Sequence, residues 1–430
     1  MDKRKLALVC TAALAFWLCA LAFGGAQGLA AASAEEGAVL AAFTEKDDAE
    51  AAMTEAEFSA QTDPTAAEAA AATGDTLELP CRAAILVDQA SGTVLYEKDA
   101  DQQMPIASIT KVMTLLLTFE AVHAGRIGYD DTVPVSEHAF GMGGSQIWLE
   151  PGEIFTLDEM LKAVCVSSAN DAAVAVAEFV GGSEPSFVAR MNARAAELGM
   201  TGTHFCNACG LDEAGHLSTA RDVAVMSRQI LNECPEVLQY TGIWIDSLRG
   251  GQTQLINTNK LLRHYSGITG LKTGTTGGAG VCITASATRD GLSLIAVVLG
   301  AASSKERFAA ATTLLDYGFA NYEAAAVPPV ADAPLTLAVR GGAEETVSLD
   351  YAAVPGSMLL QKGQGTALTA SLELPDRLDA PVHSGDAVGT VQVRSGETLL
   401  GEYPVTAAHS VEKLNLDGAL RLLLERCAAG

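Results

Sequence analysis

The chain has 430 residues, enough for two or three domains, and its 27 Lys and Arg residues face 52 Asp and Glu residues, a formal net charge of −25. Because 49% of the residues are hydrophobic, the sequence is not that of a wholly disordered chain. The acidic balance and the lack of a basic stripe argue against nucleic acid, a polyanion, as a partner.

The first residues have the layout of an export signal. Residues 3–5 are basic, a mostly apolar run follows at 6–23, and an Ala-x-Ala pattern of small residues stands at 32–34. We therefore expect residues 1–34 to be a cleaved secretory signal peptide and the mature protein to be exported into the extracytoplasmic cell envelope. The competing interpretation is an uncleaved membrane anchor, because the apolar run is near the lower length limit of a membrane span.

Residues 35–75 are rich in Ala, Glu, Thr and Asp and contain few large apolar side chains. Such a composition cannot bury enough surface to form a core, so we predict a disordered acidic linker.

Nine cysteines are present, and their scatter does not resemble the disulfide framework of a small domain. Cys206-x-x-Cys209, with His204 and His216 nearby, raises the possibility of zinc. A zinc site usually needs a second ligand pair at regular spacing, which this sequence does not show. We interpret the cysteines as structural and expect neither a metal site nor a cofactor.

Residues 76–322 have the pattern of a mixed domain. We predict hairpins at 83–97 and at 281–300. Between them we predict a long helix at 107–124 and a mostly helical stretch at 152–228, and a closing helix follows at 304–317. Strands at both ends with helices between them predict one α/β domain whose N- and C-terminal parts share a sheet.

The remainder of the chain, from 328 to 410, has short alternating strands separated by Gly-rich turns. This spacing predicts a small β-sandwich domain. The last segment, 411–430, changes to a helical period with its leucines on one face, which predicts an amphipathic helix.

Three short motifs in order carry the functional signal: Ser108-Ile109-Thr110-Lys111, Ser168-Ala169-Asn170 and Lys272-Thr273-Gly274. An S-x-x-K alone is weak, because a second one occurs at 410–413, whereas S-x-N and K-T-G each occur once. Taken alone, each residue could be a helix cap or a solvated lysine. The ordered set is instead the signature of penicillin-binding proteins and class A β-lactamases.

Physical chemistry gives these residues roles. Ser108 and Lys111 are three apart, so their side chains share a helix face. A hydroxyl needs a neighbouring base, and Lys111 can serve only if burial and the like charge of Lys272 lower its pKa. Ser168 can relay protons to the leaving nitrogen, and Asn170 can bind the substrate amide and orient Lys111.

The K-T-G strand predicts how a peptide would bind. Its backbone groups can pair with an extended substrate, and Lys272 and Thr273 can attract a terminal carboxylate. The developing oxyanion would lie between the backbone N–H groups of Ser108 and Thr275.

The chain resembles the serine-type D-alanyl-D-alanine carboxypeptidases among the low-molecular-mass penicillin-binding proteins. The similarity covers about 80–320 and is carried by Pro105–Lys111, Gly144-Ser145-Gln146, Ser168–Asp171, Gly210-Leu211, Gly215-His216, Asn257–Leu262 and Gly267–Gly274. The resemblance implies a β-lactamase-like domain with an antiparallel sheet flanked by helices.

The resemblance also implies the reaction. A peptidoglycan stem peptide ending in D-Ala-D-Ala would acylate Ser108, the terminal D-Ala would leave and water would deacylate the enzyme. β-Lactams would acylate the same serine and act as inhibitors. Lys272, Thr273, Gly274 and Thr275 would bind substrate, and Arg307 would lie near its carboxylate; the alternative is a solvated helix arginine.

Two departures and two alternatives remain. Ala169 stands where carboxypeptidases more often have Gly, and no Glu-x-x-Leu-Asn pattern supplies a deacylation carboxylate, which favours a peptidase over a β-lactamase. A non-enzymatic envelope protein would be expected to have degenerate motifs, and here they are intact. For the tail, peripheral membrane contact and packing on the β domain both stay open, because the segment carries little net charge.

Overall fold

The computed structural model describes residues 77–362, 368–415 and Gly418. The predicted signal peptide at 1–34 and the whole predicted linker at 35–75 lie outside these residues, as does most of the predicted helix at 411–430. Within the described part of the chain, no helix combines the length and the apolar character needed to cross a membrane.

Seventeen strands are described in chain order. They are β1 Ala83–Asp88, β2 Val94–Lys98, β3 Thr132–Pro134, β4 Ile154–Thr156, β5 Ile245–Leu248, β6 Thr253–Ile256, β7 Ile268–Thr276, β8 Gly280–Arg289, β9 Leu292–Ala301, β10 Tyr322–Ala326, β11 Thr336–Arg340, β12 Thr346–Asp350, β13 Ser357–Gln361, β14 Leu368–Glu373, β15 Leu378–Asp379, β16 Ala387–Ser395 and β17 Thr398–Ala407.

The α-helices lie between these strands, and a 3₁₀ turn at Ala107–Thr110 leads into the first of them. They are α1 Lys111–His123, α2 Glu137–Phe140, α3 Leu157–Val166, α4 Asn170–Gly181, α5 Glu184–Glu197, α6 Ala220–Glu233, α7 Val237–Thr241, α8 Leu261–His264 and α9 Ser304–Asn321.

The larger domain is built on a five-stranded antiparallel sheet with the order β2-β1-β9-β8-β7. β1 lies between β2 and β9, which confirms that the two ends of this domain share a sheet. α9 packs on β8 and β9, while α6 contacts β9 and β1. Coverage by helices explains why β1, β8 and β9 are buried almost throughout rather than at alternate residues.

The predicted hairpins and the closing helix are confirmed, with α9 running to Asn321. The predicted helix from Ala107 differs at its start, because the first four residues form a 3₁₀ turn and the α-helix begins at Lys111. Ala107 has a φ of +49°, outside the helical region, so a regular helix cannot start there.

The C-terminal β domain is also confirmed. Its six-stranded sheet has the order β14-β16-β17-β12-β11-β15, and β13 pairs separately with β10. The core is made largely of valines on alternating positions, among them Val347, Val391 and Val405.

The predicted helix does not begin at Val411. Val411 and Lys413 form β-bridges with Val382 and Gly342, so the chain is extended at this point. Val411 is only 1% exposed and completes the core of the β domain, which explains why this β-branched residue is not helical.

Candidate active site

The 3₁₀ turn at Ala107–Thr110 carries Ser108, the predicted nucleophile, and we call it the nucleophile turn. Glycines hold it from two sides. A Cβ on Gly274 would lie 2.9 Å from the backbone nitrogen of Ser108, and a Cβ on Gly210 would lie 2.0 Å from the carbonyl oxygen of Ala107. Ile109 is fully buried beneath the turn, whereas Ser108 remains half-buried at its surface. The packing therefore anchors the backbone and leaves the hydroxyl accessible.

Lys111 is fully buried at the start of α1. Its Nζ lies 3.0 Å from Ser108 Oγ, 2.6 Å from Asn170 Oδ1 and 2.8 Å from the carbonyl oxygen of Cys209. Burial lowers the pKa of Lys111 to about 8, although the Cys209 thiol and the Asp171 carboxylate act in the opposite direction. The predicted serine and lysine are thus in contact, and the uncharged form of the Lys111 amine becomes available near pH 8.

Lys272 is 1% exposed on β7, and its Nζ donates to Ser168 Oγ at 2.8 Å and to the carbonyl oxygen of Thr273 at 3.1 Å. Burial, followed by repulsion from Lys111, holds the pKa of Lys272 well below its usual value. We expected both burial and the charge of Lys272 to lower the pKa of Lys111. Burial does so, whereas the repulsion between the two amines lowers the pKa of Lys272 rather than that of Lys111.

Ser168 and Asn170 lie at the start of α4. Ser168 has a φ of +59° and is 5% exposed. Asn170 donates through Nδ2 to the carbonyl of Gly143 at 2.6 Å, and its backbone nitrogen donates to the carbonyl of Ser145 at 2.7 Å. Because Nδ2 faces a carbonyl, Oδ1 must face Lys111, which fixes the orientation of the amide.

The K-T-G strand forms the opposite wall. Thr273 is buried and shares a 2.6 Å hydrogen bond between its Oγ1 and that of Thr258, while Thr275 is exposed. Gly274 packs directly on the nucleophile turn, where any side chain would collide. The strand and the turn therefore form a single unit.

Arg307 is not a solvated helix residue. It is 5% exposed, donates to the Cys282 carbonyl at 3.3 Å and to Ser304 Oγ at 3.4 Å, and its Nε is buried without a hydrogen-bond partner. Burial lowers the pKa of Arg307 to about 10, and its charge contributes to lowering the pKa of Lys272. Arg307 therefore lies on the same side of the site as the K-T-G strand, and its Nε–H donates no hydrogen bond.

The Cys206-x-x-Cys209 segment supports the site. His216 accepts from the backbone nitrogen of Cys206 at 3.1 Å through Nδ1, so Nε2 carries the proton and donates to Thr110 Oγ1 at 2.7 Å. Burial lowers the pKa of His216 to about 4, which keeps this tautomer neutral. The segment thus braces the nucleophile turn and supplies the Cys209 carbonyl.

Sequence reasoning missed three supporting groups: the Cys209 carbonyl, the Thr258 hydroxyl and the His216 imidazole. Thr258 and His216 lie in segments that carried the family resemblance, so the sequence drew attention to both residues but did not indicate what they contact. No side-chain pattern could indicate a carbonyl oxygen.

Comparison with known proteins agrees with this geometry. The family model described as D-alanyl-D-alanine carboxypeptidase matches residues 66–303. The chain belongs to the D-alanyl-D-alanine carboxypeptidase family. A second model, the C-terminal domain of penicillin-binding protein 5, matches residues 330–413.

Curated relatives and solved structures support the same family. D-alanyl-D-alanine carboxypeptidase DacF of Bacillus subtilis (strain 168) is 40% identical over 77% of this chain and 86% of its own length. D-alanyl-D-alanine carboxypeptidase DacC of Escherichia coli (strain K12) is 36% identical over 81% of this chain and 89% of its own length. Penicillin-binding protein 5 from Haemophilus influenzae superimposes with a TM-score of 0.68 at 28% identity, over 79% of this chain and 99% of its own.

The carboxypeptidase is therefore a serine-type peptidase, a hydrolase that removes the terminal D-Ala from stem peptides ending in D-Ala-D-Ala, on a fold that binds β-lactams. Its order of domains, a catalytic domain followed by a β domain, is similar to that of penicillin-binding protein 5.

Proposed function

We propose that Ser108 is the nucleophile that forms the acyl-enzyme and that Lys111 is the base that activates it. Ser168 carries the proton to the leaving D-Ala, and Asn170 orients both Lys111 and the substrate. Lys272, Thr273, Gly274, Thr275 and Arg307 form the binding wall for the peptide and its carboxylate.

One observation carries the assignment of Lys111. An uncharged amine has two N–H groups and one lone pair, and Lys111 Nζ has three polar neighbours. Asn170 Oδ1 and the Cys209 carbonyl oxygen can only accept hydrogen bonds, so they take the two N–H groups. The lone pair must then face Ser108 Oγ, which is the arrangement that a general base requires.

Acylation follows from this arrangement. Ser108 Oγ attacks the carbonyl carbon of the penultimate D-Ala and passes its proton to Lys111 Nζ. Ser168, whose oxygen already accepts from Lys272, gives its own hydroxyl hydrogen to the leaving nitrogen and takes the proton from Lys111 in return, which leaves Lys111 uncharged again. The C–N bond breaks, D-Ala departs with the proton, and an ester links the peptide to Ser108.

Deacylation reverses the roles. Water attacks the ester, a proton passes through Lys111 back to Ser108 Oγ, and the shortened peptide leaves. The oxyanion of each step is placed between the backbone N–H groups of Ser108 and Thr275. The unpartnered guanidinium Nε of Arg307 and the side-chain nitrogen of Lys272 are the groups that we assign to the substrate carboxylate, whose negative charge would favour the charged form of Lys272.

Intact-mass analysis after exposure to benzylpenicillin tests the assignment. We expect one penicilloyl adduct per chain, mapped to the peptide containing Ser108, together with D-Ala release from a D-Ala-D-Ala peptide. Ser108→Ala should abolish the adduct. Labelling that persists in this variant would disprove Ser108 as nucleophile.

Two comparisons sharpen the result. Lys111→Ala should fold and acylate far more slowly, and a wild-type rate would remove Lys111 as base. Nitrocefin separates the peptidase from a β-lactamase, because a slow stoichiometric acyl-enzyme supports the peptidase and fast sustained turnover contradicts it.

We also propose that residues 1–34 direct export and that the enzyme acts in the extracytoplasmic envelope, where peptidoglycan is exposed. The sequence layout of the first residues supports this. N-terminal sequencing of the secreted protein should begin near Glu35. Retention of residues 1–34 would favour the membrane anchor. Peripheral membrane contact through residues after 415 remains a prediction, tested by sedimentation with anionic vesicles with and without that segment.

A further inference from the structure

Trp148 is a large apolar side chain that the fold exposes beside the active site. Its side chain is 69% exposed. It belongs to the segment 143–149, which contacts Asn170 directly through the carbonyl oxygens of Gly143 and Ser145. Trp148 therefore lies three residues beyond the last contact with Asn170, and its indole is exposed to solvent.

The backbone of Trp148 is strained, with a φ of +57°. Seven described residues other than glycine have a positive φ, and three of these are Asp, which tolerates this region. The remaining four are Ala107, Trp148, Ser168 and Arg249. All four belong to the active site or to the group that holds Trp148, and strained residues of this kind cluster at functional sites.

A buried carboxylate fixes the chain on both sides of Trp148. Asp171 is fully buried, and its Oδ2 accepts from the backbone nitrogens of Ile147 and Leu149, each at 3.1 Å. Asp171 directly follows Asn170 in α4. The same turn of helix thus positions the amide that contacts Lys111 and the backbone that presents Trp148.

Arg249 fixes the carbonyl groups of the same stretch. Its guanidinium donates to the carbonyl oxygen of Ile147 at 2.9 Å and to that of Trp148 at 3.0 Å. Glu153 holds this guanidinium at 2.6 Å. Trp148 is consequently locked in a conformation that glycine alone adopts without strain.

This arrangement has no evident benefit within the folded chain. An exposed indole gains little from packing, yet the surrounding polar groups maintain its strained backbone. Its benefit must come from a bound molecule, and the cleft beside it accepts the stem peptide.

We propose that Trp148 is a substrate-binding residue that packs on the aliphatic side chain of the stem-peptide residue preceding D-Ala-D-Ala. The inference rests on the proposed roles of Ser108 and Asn170 and adds a subsite to them. An extended peptide advances about 3.3 Å per residue, and in this proposal the residue before the penultimate D-Ala lies beside segment 143–149. Burial of one or two methylenes there strengthens binding by about 4- to 15-fold.

Two peptides test the subsite, Nα,Nε-diacetyl-L-Lys-D-Ala-D-Ala and Nα-acetyl-L-Ala-D-Ala-D-Ala, with D-Ala release by the full chain as the readout. The wild type should prefer the lysine peptide by about tenfold in kcat/KM, because aromatic–alkyl contact adds to burial. Trp148→Gly should bring the ratio close to one, and Trp148→Phe should retain most of it. Because the readout is the ratio of kcat/KM for the two peptides, a loss of activity that affects both peptides equally does not change it.

Thermal unfolding adds a readout that a structural role would not give. Trp148→Gly should have an unchanged or higher Tm, because glycine relieves the positive φ. A residue that only supports the wall would lower the Tm when removed. Leu335→Ala, which removes another exposed apolar side chain on the β domain, should leave both the ratio and the Tm unchanged.

Three outcomes would overturn the proposal: a wild-type ratio near one, the wild-type ratio retained in Trp148→Gly, or an equal loss on both peptides with a lowered Tm. In each of these the wild type still releases D-Ala, so the proposed function stands. Failure of the wild type to release D-Ala from either peptide and to form a penicilloyl adduct would instead overturn the proposed function and the subsite together.

Discussion

A Cβ on Gly210 would lie 2.0 Å from the carbonyl oxygen of Ala107, the residue before Ser108. Gly210 also has a φ of +89° and follows Cys209, whose carbonyl contacts Lys111. The loop that supplies this carbonyl therefore touches the nucleophile turn at a point where no side chain fits.

We expect Gly210→Ala to lower the free energy of unfolding by roughly 2–4 kcal/mol, because backbone strain and a collision with the turn combine. Acylation should slow about 100-fold, since a shift of about 1 Å at Ser108 has an effect of this size. Urea denaturation and the rate of labelling by fluorescent penicillin measure the two effects.

Gly215→Ala is the matched control for this change. Gly215 has the same φ of +89°, but its Cβ would find only Cys206 Sγ at 4.0 Å. This variant should lose only about 1 kcal/mol from strain and keep its acylation rate. Equal effects of the two substitutions would show that the contact with Ala107 is unimportant.

The second prediction concerns pH. Lys111 accepts a proton only when uncharged, and its pKa of about 8 means that the uncharged fraction grows as pH rises through 8. The rate of acylation by benzylpenicillin should therefore increase with pH across this range and level off above it. Stopped-flow measurements from pH 6 to 10 give the midpoint.

Asn170→Asp should move that midpoint upward. A carboxylate in place of Oδ1, 2.6 Å from Nζ, favours the charged amine and raises the pKa of Lys111 by about one to three units. Asn232→Asp makes the same chemical change at an exposed position and should leave the profile where it is. An unmoved midpoint in Asn170→Asp would contradict Lys111 as the titrating base.

The sequence predicted the elements whose signals are local. Period-2 and helical patterns located the hairpins at 83–97 and 281–300 and the helix α9, and the motif order brought Ser108, Lys111 and Lys272 to one site. These features depend on side-chain type and spacing, which a sequence displays directly.

Features set by distant contacts could not be predicted. The extended chain at Val411 depends on a place in the core of the β domain, and the 3₁₀ turn before Lys111 depends on the glycines packed against it. The Cys209 carbonyl and the strained backbone of Trp148 have no side-chain signature. The sequence could state the burial of Lys111 only as a requirement, because the depth of a side chain depends on the distant segments that pack around it.

The third prediction concerns Thr258, whose hydroxyl lies 2.6 Å from that of Thr273 in the K-T-G motif. Thr258→Val should leave a buried hydroxyl without its partner and cost about 1–2 kcal/mol in the free energy of unfolding. Because Thr273 then loses its orientation, KM for a D-Ala-D-Ala peptide should rise about tenfold, with a smaller change in kcat. Steady-state D-Ala release measures both constants.

Thr269→Val is the control, since Thr269 lies on the same strand as Thr273, β7, but outside the K-T-G motif. Its Oγ1 lies 2.7 Å from Ser286 Oγ on β8, so this variant also loses one hydroxyl pair. Its stability loss should be similar, and its KM should stay at the wild-type value. A raised KM in both variants would mean that strand stability, rather than the orientation of Thr273, controls substrate binding.

The last prediction concerns the thiols. Among the cysteines that the structure describes, Cys81 and Cys206 are partly exposed, whereas Cys165, Cys209, Cys234 and Cys282 are buried. Burial raises the pKa of Cys81 to about 11, so this thiol should react more slowly than Cys206. Burial raises the pKa of Cys165 to about 12 and leaves little thiolate to react. Brief treatment of the native protein with iodoacetamide at pH 8 should therefore modify Cys206 well before the four buried thiols.

Peptide mapping by mass spectrometry identifies the modified residue, and the same treatment in urea should modify all of these thiols at similar rates. Cys206→Ser should remove the fast reaction and leave penicillin labelling intact, because the Cys206 side chain does not contact Ser108 or Lys111. Faster modification of Cys165 or Cys282 in the native protein would contradict the packing of the catalytic domain, since both thiols lie in its interior.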